Sequence, residues 1–428
     1  MEGDCERPNL GLGEEDRNIL IKEVDIVFHV AATVRFDEKL KTAIRINVKA
    51  TRDLLRLARQ MPRLKSFMHV STIYSNCTQG VIEEEIYPPA ANYEGIIGMV
   101  ESFEDEVLEK NNADVRYGKD ITFDKLIGKY PNTYTYSKQI AEDVVKQEGE
   151  GLPVGIQRPA IVTSTFKEPV RGWTNNIYGP TGVVLGAGLG FLRVLHCDEE
   201  CEANFVPVDM CVNSMIVSAW DAAESFQESR EREANFKIPV YNYQSTNDQP
   251  LIFKDHLYLV KKYGIYTPYK MAVWYHCFSY QKYYPVYITL AVLLHFLLGI
   301  IVDSVLVLLG RQRKMVKAYK KIHRFSSALS YFITKRWNIK NDRFRQALER
   351  MSEREQKLFF SDLKQFDWDE YFRFFTLGIR IYILKDPVDT ISEAKAKYTR
   401  LYWLHQITKA VLVVLCSWVL WRFICFIM

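Results

Sequence analysis

The sequence is poor in the features that would place it quickly. Net charge is small: 56 Lys and Arg stand against 52 Asp and Glu over 428 residues, leaving +4. A dedicated nucleic-acid binder concentrates far more positive charge, so that class is set aside. The eight cysteines are scattered along the chain. They form no framework of close pairs, and the opening MEGDCERPN has no apolar signal core, so a reducing, cytosol-facing catalytic part is expected. Low-complexity tracts are missing, and 48% apolar with 25% charged residues is a globular composition. Also missing is a strand followed by a glycine-rich turn and a helix, the unit whose backbone N–H groups meet a pyrophosphate. GLGEE (11–15) follows no strand. LGAGLGFLR (185–193) lacks the spacing, and a flexible substrate-side loop is expected there instead.

What is present is an alternation. VDIVFHV (24–30) is a strand-length apolar run, and residues 38–61 carry apolar positions at helical spacing. LKSFMHVST (64–72) again reads as a strand. TYTYSKQIAEDVVKQEG (133–149) reads as a helix stopping at Gly149, and PVGIQRPAIV (153–162) as a third buried strand. Such alternation predicts βαβ units and a parallel sheet covered on both faces. Residues 165–250 read as loop-rich, and 311–400 as a polar, aromatic, helical region. Two long apolar runs complete the pattern. PVYITLAVLLHFLLGIIV (285–302) could form a second span, a re-entrant hairpin or a buried core helix. AVLVVLCSWVLWRFICFIM (410–428) is expected to cross a membrane, because about 19 helical residues cover roughly 28 Å. The cations that open the 311–400 region fit a flank facing anionic head groups.

The chemistry centres on Tyr134-Thr-Tyr-Ser-Lys138. Residues i and i+4 share one face of a helix, so the phenol and the ammonium can point into one site. A nearby cation favours the phenolate and brings tyrosine towards working range as a proton donor to a carbonyl. Ser71 and Thr72 close the second strand, where a hydroxyl can support a developing oxyanion. Ala31 and Ala32 follow the first strand as small residues suited to close approach of a flat cofactor. His196, Cys197 and Cys201 form H-C-x-x-x-C without a second ligand pair, so no metal is expected.

These motifs, in this order, resemble the extended short-chain dehydrogenase/reductases, and within them the alcohol-forming fatty acyl-CoA reductases. The resemblance rests on HVAATVRFDEKLKTAIRINV (29–48), HVSTIYSN (69–76), PNTYTYSKQIAE (131–142), QRPAIV (157–162), GWTNNIYGPTGV (172–183) and NFVPVDMCVN (204–213). KIHRFSSALSYFITKRW (321–337) and FDWDEYFRFFTLGIRIYILKD (366–386) resemble that family's helical C-terminal domain. The resemblance implies a Rossmann-like α/β fold whose doubly wound parallel sheet is N-terminally truncated, lacking the glycine-rich cofactor unit. An α-helical C-terminal domain and a C-terminal transmembrane helix would follow. The implied division is a reductase domain over 1–265, a membrane-associated segment over 266–310, the helical domain over 311–400 and a transmembrane helix over 408–428.

Carried over residue by residue, Tyr134 is the catalytic tyrosine and Lys138 the lysine that also binds the nicotinamide ribose. Thr72, with Ser71 as runner-up, supports the oxyanion. Asn47 lies in the helix behind the site, and Ala31 and Ala32 line the cofactor. Pro159, Ala160 and Ile161 lie beside the nicotinamide. Gly3-Asp4 resembles the end of the family's third strand, which places Asp4 near the adenine. The implied cofactor is NADPH and the implied reaction takes long-chain fatty acyl-CoA through an aldehyde to a fatty alcohol. The implied partners are acyl-CoA, membrane lipid and a second copy of the chain, with no nucleic acid. The endoplasmic reticulum membrane is expected ahead of the peroxisome. Two alternatives stand beside this: an inactive fragment or isoform that binds acyl-CoA at the membrane, and another extended reductase.

Overall fold

The computed structural model describes residues 1–102 and 126–427, and the chain divides into two compact units. The first contains residues 1–162, 204–250 and 337–366. Its centre is a four-stranded parallel sheet of β1 (Ile26–His29), β2 (Ser66–Val70), β3 (Val154–Pro159) and β4 (Val240–Tyr243), in that spatial order. Ile26 pairs with Ser66, Phe67 with Val154 and Ile156 with Val240, so the carboxyl ends of the strands lie at one edge. β2, β3 and β4 are buried along their whole length, as strands of a parallel sheet between two helical layers are, and they carry Ser66, His69, Gln157, Arg158 and Asn242 inside with them.

Helices follow the strands as βαβ geometry requires. α1 (Glu14–Glu23) precedes β1. α2 runs over 40–58, with a π-helical stretch at Ile44–Lys49 between the α-helical pieces Leu40–Ala43 and Ala50–Ala58. α3 (Thr133–Glu148) starts on Asn132, whose side chain accepts the Thr135 N–H at 2.9 Å and so satisfies one of the first turn's orphan donors. α2 and α3 cover one face of the sheet. Between them and the strands lies a core that includes Leu40, Ile44, Leu55, Phe67, Ile140 and Val154. α4 (Val208–Glu231) covers the other face, where Ser66 Oγ donates to the Ala219 carbonyl at 2.8 Å. The approach there is close, since a Cβ on Gly155 would meet Met68 and Ala222. The sheet is therefore parallel and wound on both sides, as expected.

Residues 165–250 are loop-rich, as expected, although they also hold α4, 24 residues long, and β4. Two expectations differ. The segment 185–193 is not a flexible loop, because helix Pro180–Gly188 runs into it and Gly190, at φ +82°, turns the chain. A side chain on Gly190 would strike the Trp274 backbone. Gly3-Asp4 does not end a strand; it lies in an N-terminal turn where the Asp4 N–H donates to the Leu10 carbonyl at 2.7 Å.

The second unit contains residues 163–203, 251–336 and 367–428 and is mainly helical. Its helices include α5 (Phe253–Tyr266), α6 (Tyr284–Leu308), α7 (Met315–Ile333), α8 (Trp368–Gly378) and α9 (Ile391–Ile427). α8 is held by polar contacts, among them Arg171 Nη1 to Glu370 Oε1 at 2.6 Å, and by close packing. Tyr371 Oη donates to Thr163 Oγ1 at 2.7 Å, and a Cβ on Gly378 would run into the Gly172 carbonyl oxygen. α6 and α9 are long and apolar enough to cross a membrane. α6 is not a core helix: only 22% of its apolar stretch is buried, and none of that in α9.

Candidate active site

The carboxyl ends of β1, β2 and β3 gather the residues singled out in the sequence. α3 presents Tyr134 and Lys138 one turn apart. The Tyr134 hydroxyl is hydrogen-bonded to Thr72, the second residue beyond β2, and its ring stacks on Phe36 with centroids 5.9 Å apart. Lys138 is buried, and its Nζ donates to the Val70 carbonyl at 2.7 Å. Asn47, in the π-helical stretch of α2, is fixed on three sides. Its Oδ1 accepts the Thr33 N–H at 3.0 Å, and its Nδ2 donates to the Thr33 carbonyl at 3.1 Å and to Ser137 Oγ at 2.9 Å. That ties α2 and α3 to the turn containing Ala31 and Ala32, which stays open: Ala31 is exposed and Ala32 half-buried. Pro159 ends β3, the Ala160 N–H donates to the Tyr243 carbonyl at 2.9 Å, and the Ile161 N–H to the Asn204 carbonyl at 2.9 Å. Asp4 is not joined to this group. Its carboxylate accepts the Glu6 N–H at 2.9 Å and pairs with Arg7 at 3.2 Å.

The electrostatics depart from the sequence argument. Burial pushes the Tyr134 phenol up to about 12, against a smaller lowering by the Thr72 hydrogen bond. Burial also lowers Lys138 to about 8, with the Glu142 carboxylate pulling the other way. Desolvation therefore outweighs the Thr72 hydrogen bond, and Tyr134 rests protonated, as a proton donor must. His29 and His69 lie side by side on β1 and β2, ring centroids 5.2 Å apart. Burial and, next, the Lys138 charge push both down, His29 to about 3, so both imidazoles are neutral at pH 7.

The sequence reading overlooked Glu142. It is fully buried one turn beyond Lys138 and collects five hydrogen bonds. Arg158 donates from Nε at 2.8 Å and Nη2 at 2.6 Å, Ser71 Oγ at 2.6 Å, Ser75 Oγ at 2.8 Å and Asn76 Nδ2 at 3.2 Å. The remaining Arg158 donors reach the Glu83 carbonyl at 3.0 Å and the Glu85 carbonyl at 2.7 Å. Burial raises the Glu142 carboxyl, but Arg158 and the serine hydroxyls more than reverse this and hold it below the usual carboxylate range. The network also separates the two hydroxyl candidates. Ser71 is committed to Glu142, and Thr72 is the one on Tyr134. The signal was legible in principle, because Tyr134, Lys138 and Glu142 fall at i, i+4 and i+8 of one helix.

A parallel sheet with helices on both faces, carrying a Tyr–Lys pair and a strand-end hydroxyl at its carboxyl edge, defines a nucleotide-dependent reductase of the extended short-chain class. Comparison with known proteins narrows this. The NAD-binding profile described as "Male sterility protein" matches residues 1–215, and the "Sterile" profile of the same description matches 294–386. The chain is 37% identical over 421 residues to "Fatty acyl-CoA reductase wat" of Drosophila melanogaster, covering 98% of this chain and 78% of that protein. It is 33% identical over 422 residues to "Fatty acyl-CoA reductase 1" of Homo sapiens, covering 99% and 78%. Among solved structures, the terminal R domain of the myxalamid PKS-NRPS pathway superposes with a TM-score of 0.53 at 17% identity, covering 89% of this chain and 74% of that one. The reductase domain of a Mycobacterium tuberculosis nonribosomal peptide synthetase gives 0.51 at 14%, covering 89% and 75%. The chain belongs to the fatty acyl-CoA reductase family of enzymes, and its cofactor is a nicotinamide nucleotide.

Proposed function

We propose that the chain reduces long-chain fatty acyl-CoA to fatty alcohol with NADPH, anchored in the endoplasmic reticulum membrane by α9 with the catalytic unit on the cytosolic side. The observation that carries the reading is the meeting of a protonated Tyr134, the Thr72 hydroxyl and the Lys138 ammonium at the carboxyl edge of the sheet. The residues fit the nicotinamide–ribose end of the cofactor. A buried ammonium and a phenol are the donors a ribose diol needs, and the open Ala31–Ala32 turn leaves backbone free for close approach. NADPH, when bound, supplies the hydride.

The chain's own groups do the rest. Tyr134 gives its proton to the carbonyl oxygen as negative charge develops there, and Thr72 hydrogen-bonds the same oxygen. The Lys138 charge stabilises the phenolate that remains. Glu142, one turn on, keeps Lys138 from losing that charge entirely to desolvation. From the thioester the first reduction releases CoA as the thiol and leaves an aldehyde; the second gives the alcohol. Two reducing equivalents are used per alcohol.

The test is fatty-alcohol formation from a long-chain acyl-CoA and NADPH in membranes expressing the full chain. Tyr134→Phe should lower the rate at least a hundredfold, the usual scale of a lost general acid. Equal alcohol from Tyr134→Phe, or none from the unaltered chain across a panel of long-chain acyl-CoAs, overturns the reading.

A further inference from the structure

α6 and α7 form an antiparallel hairpin within the second unit, with contacts from Tyr287 to Asp303 of α6. At the open end the Tyr287 ring stacks on His323 at 5.9 Å and its hydroxyl meets His323 Nδ1 at 3.0 Å. Midway, His295 stacks on Tyr319 at 5.0 Å, and Gly299 leaves room for the same ring. At the tip the Asp303 carboxylate accepts the N–H groups of Lys314, Met315 and Val316, each at 2.9 Å, and so caps α7. Arg193 fixes the hairpin at the same midpoint: its N–H donates to His295 Nε2 at 3.0 Å and Nη1 to the Leu294 carbonyl at 2.9 Å.

The hairpin's outer surface has two parts. Along α6 it is apolar and open, with Ile300 54%, Ile301 51% and Leu308 85% exposed. From Arg311 to Arg324 the chain carries seven cations and no carboxylate, and all seven cations are exposed. Asp303 is the lone acid between Tyr284 and Trp337, and it is buried in the cap. If α6 crossed a bilayer, α7 would be drawn in beside it, with Lys317, Lys320, Lys321 and Arg324 in hydrocarbon. Desolvating four unpaired cations forbids that arrangement. Apolar side chains beside a row of cations are what an interfacial helix presents to lipid.

We propose that the α6–α7 hairpin is a monotopic docking surface for membranes rich in anionic lipid. The exposed α6 residues enter the head-group/acyl boundary, and the cations from Arg311 to Arg324 engage the lipid phosphates and carboxylates. The hairpin gives the second unit a second hold on the membrane, apart from α9. Charge selects the occupant: a zwitterionic surface has no net charge to attract seven cations, whereas an anionic one gains roughly fivefold in partitioning per cation at its surface.

The test needs nothing of the catalytic reading. The full chain is placed in nanodiscs of phosphatidylcholine with and without phosphatidylserine, so that α9 is embedded in both and only surface charge differs. Hydrogen exchange is then followed over 300–324. The amides of the turn and of the first turns of α7 should exchange roughly tenfold more slowly in the anionic discs. The triple variant Lys317→Glu, Lys320→Glu, Lys321→Glu should erase that difference, while exchange in the β1–β4 sheet stays unchanged and certifies the fold. Equal exchange in both discs overturns the proposal, as does a slowing that survives the triple reversal.

Discussion

Replacing Glu142 by Gln keeps the shape of the side chain and removes its charge. Arg158, none of whose side chain is exposed, would then face a neutral amide that cannot accept both of its charged donors. Removing one partner of a buried ion pair costs about 3–5 kcal/mol, because the other charge stays desolvated and uncompensated. For a unit of this size that corresponds to a melting point lower by about 6–20 °C. The assay is thermal denaturation of the detergent-solubilised full chain, run at pH 7 and again near pH 4. Glu142 titrates below its unfolded value, so its stabilisation is present above roughly pH 4.3 and is lost as pH falls through the folded value. The gap between wild type and variant must therefore narrow in acid. Pairing Glu142→Gln with Arg158→Met should recover much of the loss. A deficit under about 1 kcal/mol at pH 7, or one of equal size at both pH values, would refute the reasoning.

The other expectations are smaller. Thr72→Ala should lower kcat by about a hundredfold or more with little change in melting point, whereas Ser71→Ala should cost about 1–3 kcal/mol of stability. Equal kinetic losses in both would contradict the division of labour. The rate should decline as pH rises through about 8, where Lys138 gives up its proton, and a profile flat to pH 10 would dissociate its charge from the chemistry. Gly378→Ala drives a methyl into the Gly172 carbonyl oxygen and should destabilise the second unit by roughly 3 kcal/mol, read as a lower melting point.

Legibility in the sequence followed the length and purity of each signal. β1, β2 and α3 lie where the apolar runs and the helical spacing put them, whereas the strand expected over 153–162 ends at Pro159, and Ile161–Thr163 forms a separate short strand in another sheet. β4 is four residues, Val-Tyr-Asn-Tyr, too short to stand out from its flanks. In α4 the buried face includes Ser214 and Ser218 among small residues, so its period is faint. At the site, residue types were legible and their partners were not. Nothing local shows that Ser71 is bonded to a carboxylate 71 positions away. The i, i+4 spacing of Tyr134 and Lys138 also suggested an acidified tyrosine, but burial raises the phenol and lowers the ammonium, and it is the largest influence on each.

Each unit is assembled from three separate stretches, and the chain passes from one unit to the other after residues 162, 203, 250, 336 and 366. During synthesis the sheet's last strand, ending at Tyr243, emerges long before the stretch 337–366 that completes its unit. At roughly 5–20 residues per second, that interval lasts several seconds to about half a minute, and the half-built unit must remain soluble throughout. Over the same interval the ribosome extrudes α6, whose apolar side chains lie open even in the finished chain. An apolar helix is thus in the open, with part of its neighbouring unit still unmade, well before any substrate can be met.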